Sequence, residues 1–173
     1  MNYVKISTPR FILKELTIED ATPRCLSWFE ADSVKNNIHS AGSFNNSIDS
    51  LKSYVEKNVI KRDVLFLGIF LKNELLHIGN IKFNSIDSIN NYAILGIMVG
   101  DENWQGRGVA PEVIENSAVW LKKNRNINKI VLGVHKNNTR AINAYKKVGF
   151  IFEETKYVEI VDEAHLPMVL NIL

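Results

Sequence analysis

A chain of 173 residues, 46% apolar and 23% charged, has the composition of one globular domain that buries its core without disulfides or structural metals. Twenty-one basic against nineteen acidic side chains leave a formal charge of +2, too weak a field to gather nucleic acid or an anionic membrane. The lone Cys25 reads as a small core residue, and residues 1–18, with Lys5, Arg10, Lys14 and Glu15, hold no apolar run long enough for a signal peptide, so a cytoplasmic location is expected.

Residues 11–16 read as a first strand, followed by a helix starting near Thr17 or Ile18, with Asp20 in its first turn and Cys25, Leu26 and Phe29 on one face. Residues 36–47 are polar and loop-like. Leu51, Val55 and Val59 at helical spacing predict a second helix over 48–59. Segments 64–71 and 75–83 flank Lys72-Asn73-Glu74 and predict a hairpin with a three-residue connection. Asn90-Asn91 then turns the chain into 92–99, a run apolar without alternation, as expected of a central strand covered on both faces.

The stretch Asn103-Trp104-Gln105-Gly106-Arg107-Gly108-Val109-Ala110 joins that strand to a helix with Ala110, Val113, Ile114, Ser117, Ala118 and Leu121 on one stripe. Lys122, Lys123 and Arg125 near its end match the helix dipole. Residues 129–135 form another buried strand. Asn138 or its neighbour can cap a last helix whose Ala141, Ala144, Tyr145 and Val148 face inward and which stops at Gly149. Two closing strands, roughly 150–161 and 165–173, complete a single α+β domain over 1–173: an antiparallel front half, then a strand, loop, helix and strand unit. No repeat or low-complexity linker divides it.

The glycine loop carries the chemistry. A strand that feeds such a loop into a helix leaves main-chain N–H groups at the positive end of the helix, where a phosphate can accept them. Gly106 and Gly108 allow a sharp turn and close approach of a bound group, and Pro111 in the first helical turn lacks only an N–H that had no helical partner. A Rossmann site wants Gly or Ala where Pro111 stands and a carboxylate at the end of the next strand, where His135-Lys136-Asn137 has none; no Walker motif is present. A tight turn without a ligand is the plain alternative.

The segment from His135 to Phe150 contains Asn138, Ala141, Tyr145, Gly149 and Phe150 in the pattern Asn-x-x-Ala-x-x-x-Tyr-x-x-x-Gly-Phe. It resembles the corresponding segment of the GNAT superfamily of N-acetyltransferases, and Gln105, Gly108 and Ala110 resemble that superfamily's diphosphate motif. The resemblance covers almost the whole chain and is nearest the RimJ/RimL-like branch, which includes ribosomal-protein N-terminal and polyamine acetyltransferases. It implies a mixed, mostly antiparallel sheet of about six or seven strands flanked by about four helices. It also implies an enzyme that uses acetyl-CoA as co-substrate. Main-chain groups of Ile97, Met98 and Val99 would hold the pantetheine arm, and an N–H near Val99 would polarise the acetyl carbonyl. Gly106, Arg107, Gly108, Val109 and Ala110 would hold the diphosphate, with Gln105 and Ala141 also in the cofactor motifs. Asn138 would bond the pantetheine, and the Tyr145 hydroxyl would meet the sulfur as general acid, a role set against simple packing of its ring.

Many members of that branch carry a glutamate where this chain has Ile94. A lysine-type amine is neutral in only about one molecule in two thousand at pH 7, whereas an α-amine is neutral roughly a tenth of the time. Without a base on that strand the expected acceptor is a weakly basic small-molecule amine, such as an amino sugar or nucleotide-linked amino sugar. A protein N-terminus, a polyamine, or a silent acyl-CoA-binding module are the alternatives. Among other side chains, Trp28 and Phe29 could line the acceptor pocket, although packing claims them first, and Trp104 reads as a loop anchor. His39 is a candidate for the substrate site, His135 for acid–base work through water, and His77 and His165 read as structural. Scattered histidines without a cysteine cluster predict no metal site. Apolar surface near the last strand could support a homodimer.

Overall fold

Strands β1 (Lys5–Ser7) and β2 (Phe11–Glu15) open the computed structural model, which describes residues 3–30, 47–158 and 162–172. They pair antiparallel, and their turn is tied by the Phe11 N–H donating to Thr8 Oγ1 at 2.9 Å. The single helix expected next is broken into a 3-10 turn at Ile18–Asp20, helix α1 (Pro23–Ser27) and a second 3-10 turn at Trp28–Glu30. Pro23 is the reason: it has no N–H to continue a helix, and it starts a new one instead, capped by Thr22, whose hydroxyl accepts from the Cys25 N–H. Cys25 and Phe29 still point inward. The polar stretch 36–46, with His39, lies outside the described residues; Ser47 caps helix α2 (Ile48–Val59), which buries Leu51 and Val55 as its spacing predicts.

Strands β3 (Leu65–Leu71), β4 (His77–Asp87) and β5 (Tyr92–Val99) follow as an antiparallel meander. The β3–β4 connection runs longer than the expected three residues because Leu75 turns left-handed (φ 52°) and exposes its side chain, which removes it from the strand. Helix α3 (Val109–Arg125) carries the chain to β6 (Lys129–His135), and α4 (Thr139–Val148) precedes β7 (Ile151–Phe152) and β8 (His165–Asn171). The described strands form one sheet in the order β1-β2-β3-β4-β5-β6-β8-β7, with β5–β6 as its parallel pair.

Eight strands stand where six or seven were expected, because β1 and β7 are only three and two residues long. The first of the closing strands stops at Phe152, where the polar run Glu153-Glu154-Thr155-Lys156 has no apolar face to offer the sheet. Four α-helices are present among the described residues, and none is long and apolar enough to cross a membrane. One core gathers Phe83, Ile114, Leu121 and Phe150 between the sheet and α3 and α4. A second gathers Trp28, Leu51, Val55, Phe66 and Met98 under α1 and α2. Ile151, Phe152 and Leu166 supply the exposed apolar surface anticipated beside the last strand.

Candidate active site

The parallel pairing of β5 with β6 is brief. It runs from Tyr92↔Lys129 to Ile94↔Val131 and stops, and past that point the strands part around a cleft of about 530 Å³. Backbone alternation determines which groups face the gap. The Asn91 carbonyl accepts from Asn128 and Lys129 on the β6 side, whereas the Gly100 N–H donates to Ile78 on the β4 side. Counting between these two anchors, Leu95, Ile97 and Val99 turn their N–H and C=O toward the cleft. Met98 turns its own toward Asn80 of β4, so the main-chain role expected for Met98 is corrected: it lines the cleft, but its peptide groups serve the sheet. The splay also corrects the expectation of a strand covered on both faces, since Gly96 is exposed.

At the far end of β5, Asp101 accepts the Asn103 N–H at 2.9 Å and starts a 3-10 turn, Glu102–Trp104. Trp104 packs edge-on to Phe11, ring centroids 5.7 Å apart, and so anchors the loop to β2. Gly106 and Gly108 both have left-handed backbones (φ +75° and +72°), Gly108 being the N-cap of α3. The position of a Cβ on Gly106 has nothing within 4 Å, which leaves the main chain bare toward the cleft. Gly106, Gly108, Val109, Ala110 and Pro111 all line it. The first-turn N–H groups of a 17-residue helix point there, so the loop can accept an anion.

Arg107 is the exception among the expected cofactor residues. Its guanidinium lies 5.7 Å from the Trp104 ring, and the residue does not line the cleft. Gln105 lines the cleft and also braces it. Its Nε2 donates to the Val99 carbonyl at 2.9 Å while its Oε1 accepts from Arg140 at 2.9 Å, which ties the end of β5 to the start of α4.

On the opposite wall, Asn138 caps α4 by accepting the Ala141 N–H on Oδ1 (3.2 Å), which leaves its Nδ2 as the donor for a ligand. Ala141 and Tyr145 follow on the same helical face, one turn apart, and both line the cleft. The Tyr145 ring rests against Phe150 at 5.7 Å, and burial pushes its hydroxyl up to about 12. Among the described residues no protein group hydrogen-bonds that hydroxyl, so it is a neutral O–H donor aimed at whatever occupies the cleft.

His135 also lines the cleft. Its Nδ1 accepts the Asn137 N–H at 3.2 Å, which puts the ring proton on Nε2. In that tautomer its Nε2–H is a donor for a ligand. Trp28 stands elsewhere: it is 5% exposed and packs edge-on to His77 at 5.1 Å, and a Cβ on Gly100 would sit only 2.1 Å from its ring. Packing thus accounts for the position for which a substrate role had been considered, while His39 lies outside the described residues. His77, edge-on to Trp28 and stacked on Phe70 at 4.4 Å, is half-buried, and desolvation holds its imidazole below the ordinary value and neutral.

Arg140, Asn143 and Lys147 line the cleft without having been anticipated. Their spacing along α4 after Asn138 is the signal that could have found them, since residues three and four apart share a helical face. No Asp or Glu lines the cleft among the described residues.

The family model described as Acetyltransferase (GNAT) domain matches residues 10–151. Among curated proteins, "Uncharacterized N-acetyltransferase p20" of Bacillus licheniformis is 26% identical over 144 residues, covering 83% of this chain and 80% of that one. Among solved structures, RimL, a ribosomal L7/L12 alpha-N-protein acetyltransferase in complex with coenzyme A, superposes with a TM-score of 0.81 at 18% identity over 99% of this chain and 98% of that chain. The microcin C7 self-immunity acetyltransferase MccE, in complex with acetyl-CoA and AMP, gives 0.77 at 20% identity over 95% and 93%. A chimera of the spermidine N-acetyltransferase SpeG of Vibrio cholerae gives 0.75 at 19% identity over 93% and 95%.

Proposed function

The chain belongs to the GNAT family of acetyltransferases, enzymes that use acetyl-CoA, and from that premise we propose that it acetylates a weakly basic primary amine of a small molecule, an amino sugar or nucleotide-linked amino sugar. One observation carries the choice of acceptor: the described lining of the cleft contains Arg140 and Lys147 but no carboxylate, and Ile94, on the face of β5 shared with Met98, brings none. A polyamine at neutral pH is a multiple cation and calls for carboxylates to meet it, which neither the described lining of the cleft nor Ile94 provides. A sugar amine has a larger neutral fraction and needs no strong base.

The residues divide the work along the cleft. The N–H groups of the 106–110 loop and the start of α3 bind the diphosphate, and Ile97, Val99 and Asn138 Nδ2 hold the pantetheine arm. Acetyl-CoA supplies the activated two-carbon unit as a thioester. Main-chain N–H groups at the cleft edge of β5 are held by the sheet, so they stabilise negative charge on the acyl oxygen without reorganising; losing one such donor costs about a hundredfold in rate. Tyr145 donates its O–H proton to the departing sulfur, and the proton shed by the acylated nitrogen restores the phenol. A hydroxyl near 12 is a weak acid against a free thiol near ~8.5, yet the apolar wall that disfavours phenolate disfavours thiolate equally, which narrows the gap.

A peptide or protein α-amine meets the same basicity criterion and is the second reading, in keeping with the activity printed for RimL. Incubation with acetyl-CoA and a mixed panel of nucleotide-linked amino sugars, peptides and polyamines, read by mass spectrometry, separates them. An added acetyl group on the amino-sugar class is the expected result. Spermidine acetylated at rates well above the sugars would refute the acceptor assignment, and a gain confined to peptides would replace it with the second reading.

A further inference from the structure

Behind the glycine loop, on the side away from the cleft, Arg10 reaches across from the β1–β2 turn. Its Nη1 donates to the Arg107 carbonyl at 2.9 Å and its Nη2 to the Gly108 carbonyl at 3.1 Å. The remaining nitrogen, Nε, donates to Glu112 Oε2 at 2.6 Å. Glu112 Oε1 in turn accepts from the Arg10 N–H at 2.8 Å and from Thr8 Oγ1 at 2.6 Å. Burial alone would raise the Glu112 carboxyl, but the hydrogen bonds from Thr8 and Arg10 outweigh it and keep the group below its ordinary value, hence ionised at neutral pH.

We propose that Arg10 is a positioning residue for diphosphate recognition: by gripping two successive carbonyls from behind, its guanidinium turns the N–H groups of Gly108 and Val109 toward the cleft. The argument is stereochemical and rests on the reading of this loop as the diphosphate site. In a trans peptide the C=O and the N–H of one plane point in opposite directions. The plane that holds the Arg107 carbonyl ends in the Gly108 N–H, and the plane that holds the Gly108 carbonyl ends in the Val109 N–H. With both oxygens drawn toward Arg10, both hydrogens face away from it, and Gly108 and Val109 line the cleft.

Geometry and not net charge is the working element. Glu112 neutralises the guanidinium that holds the loop, so the pair presents almost no field to an incoming dianion. What it supplies is orientation in a segment where two glycines with left-handed backbones would otherwise leave the peptide planes free to rotate. Only an arginine can do this, because three nitrogens of one planar fork are engaged at once, two on carbonyls and one on a carboxylate.

The test compares two donors, acetyl-CoA and S-acetyl-pantetheine, which lacks the diphosphate. Arg10→Ala should raise KM for acetyl-CoA by about tenfold with little change in kcat, and leave KM for S-acetyl-pantetheine unaltered. Arg10→Lys, which restores the charge but not the fork, should behave like the alanine variant. Glu112→Gln, a milder disturbance of the same grip, should give the same donor-selective pattern at about threefold and covers the case in which the Arg10 variants do not fold. Equal losses with both donors would make Arg10 a stability residue and overturn the proposal. Full recovery in Arg10→Lys would replace orientation by charge and overturn it equally. Wild-type enzyme that shows the same KM for both donors would instead remove the reading of the loop itself, and the role of Arg10 with it.

Discussion

The two ends of the cleft are built on opposite principles. At the loop end, Gly106, Gly108 and the first turn of α3 offer polar main chain, exposed, with left-handed glycines and a brace of side-chain hydrogen bonds behind it. At the other end, Tyr145 offers one hydroxyl from an apolar wall against Phe150, with burial holding it neutral. An anion that is already charged needs donors prearranged in quantity; a sulfur that becomes charged during reaction needs one donor whose strength appears only then. On the proposed roles the difference makes affinity and turnover separable, and substitutions at the two ends should register in different kinetic constants.

The sharpest way to break that separation is Tyr145→Phe. Loss of the hydroxyl should lower kcat roughly a hundredfold while KM for acetyl-CoA stays within about twofold, because the ring and its packing remain. Unchanged turnover, measured by thiol release, would strip Tyr145 of its role. At the loop end, Gly108→Val should raise KM for acetyl-CoA about tenfold with a modest change in kcat, since a β-branched residue at φ +72° costs on the order of 1–2 kcal/mol and rotates the N–H groups. A fall in kcat alone would contradict the division. The smallest effect expected is an absence of change with pH. A phenol at about 12 keeps its proton where an ordinary tyrosine near ~10 loses it, so kcat should remain flat between about pH 9 and 10.5. The same shift means that any stability derived from keeping Tyr145 neutral is present below about pH 10 and is lost as pH rises through about 12. A falling limb near pH 10 that vanishes in Tyr145→Phe would count against the buried phenol.

What the sequence reveals of this architecture is what local chemistry encodes. The stripe of Leu51, Val55 and Val59 marks α2, Asn138 and Gly149 bracket α4, and two glycines with Pro111 mark the start of α3. Gly108, Asn138 and Tyr145 sit in short motifs, and Ile97 and Val99 come from the family resemblance; all five line one cleft. Contacts that join distant segments were not legible in that way. Arg10 is almost a hundred residues from the loop it braces, and nothing in its neighbourhood announces the carbonyls it meets. Gln105 stood in a recognisable motif, yet its bond to Arg140 depends on how β5 and α4 converge. The departure of Met98 from its expected role follows from strand register, which alternation of apolar residues cannot specify in a run buried on much of both sides. Pro23 is a local signal, and it splits the first helix.

The position of β8 between β6 and β7 has a consequence for how the protein is made. Strand β6 forms one wall of the cleft, and its outer edge is covered by His165–Asn171, paired residue for residue from Lys129↔Asn171 to His135↔His165. A ribosome that has released α3, β6 and α4 has therefore delivered nearly every ligand-facing atom, yet β6 still presents an open edge of unpaired amides. That edge is covered only when this late strand pairs, so nascent chains halted before residue 165 are expected to be prone to sticking to one another.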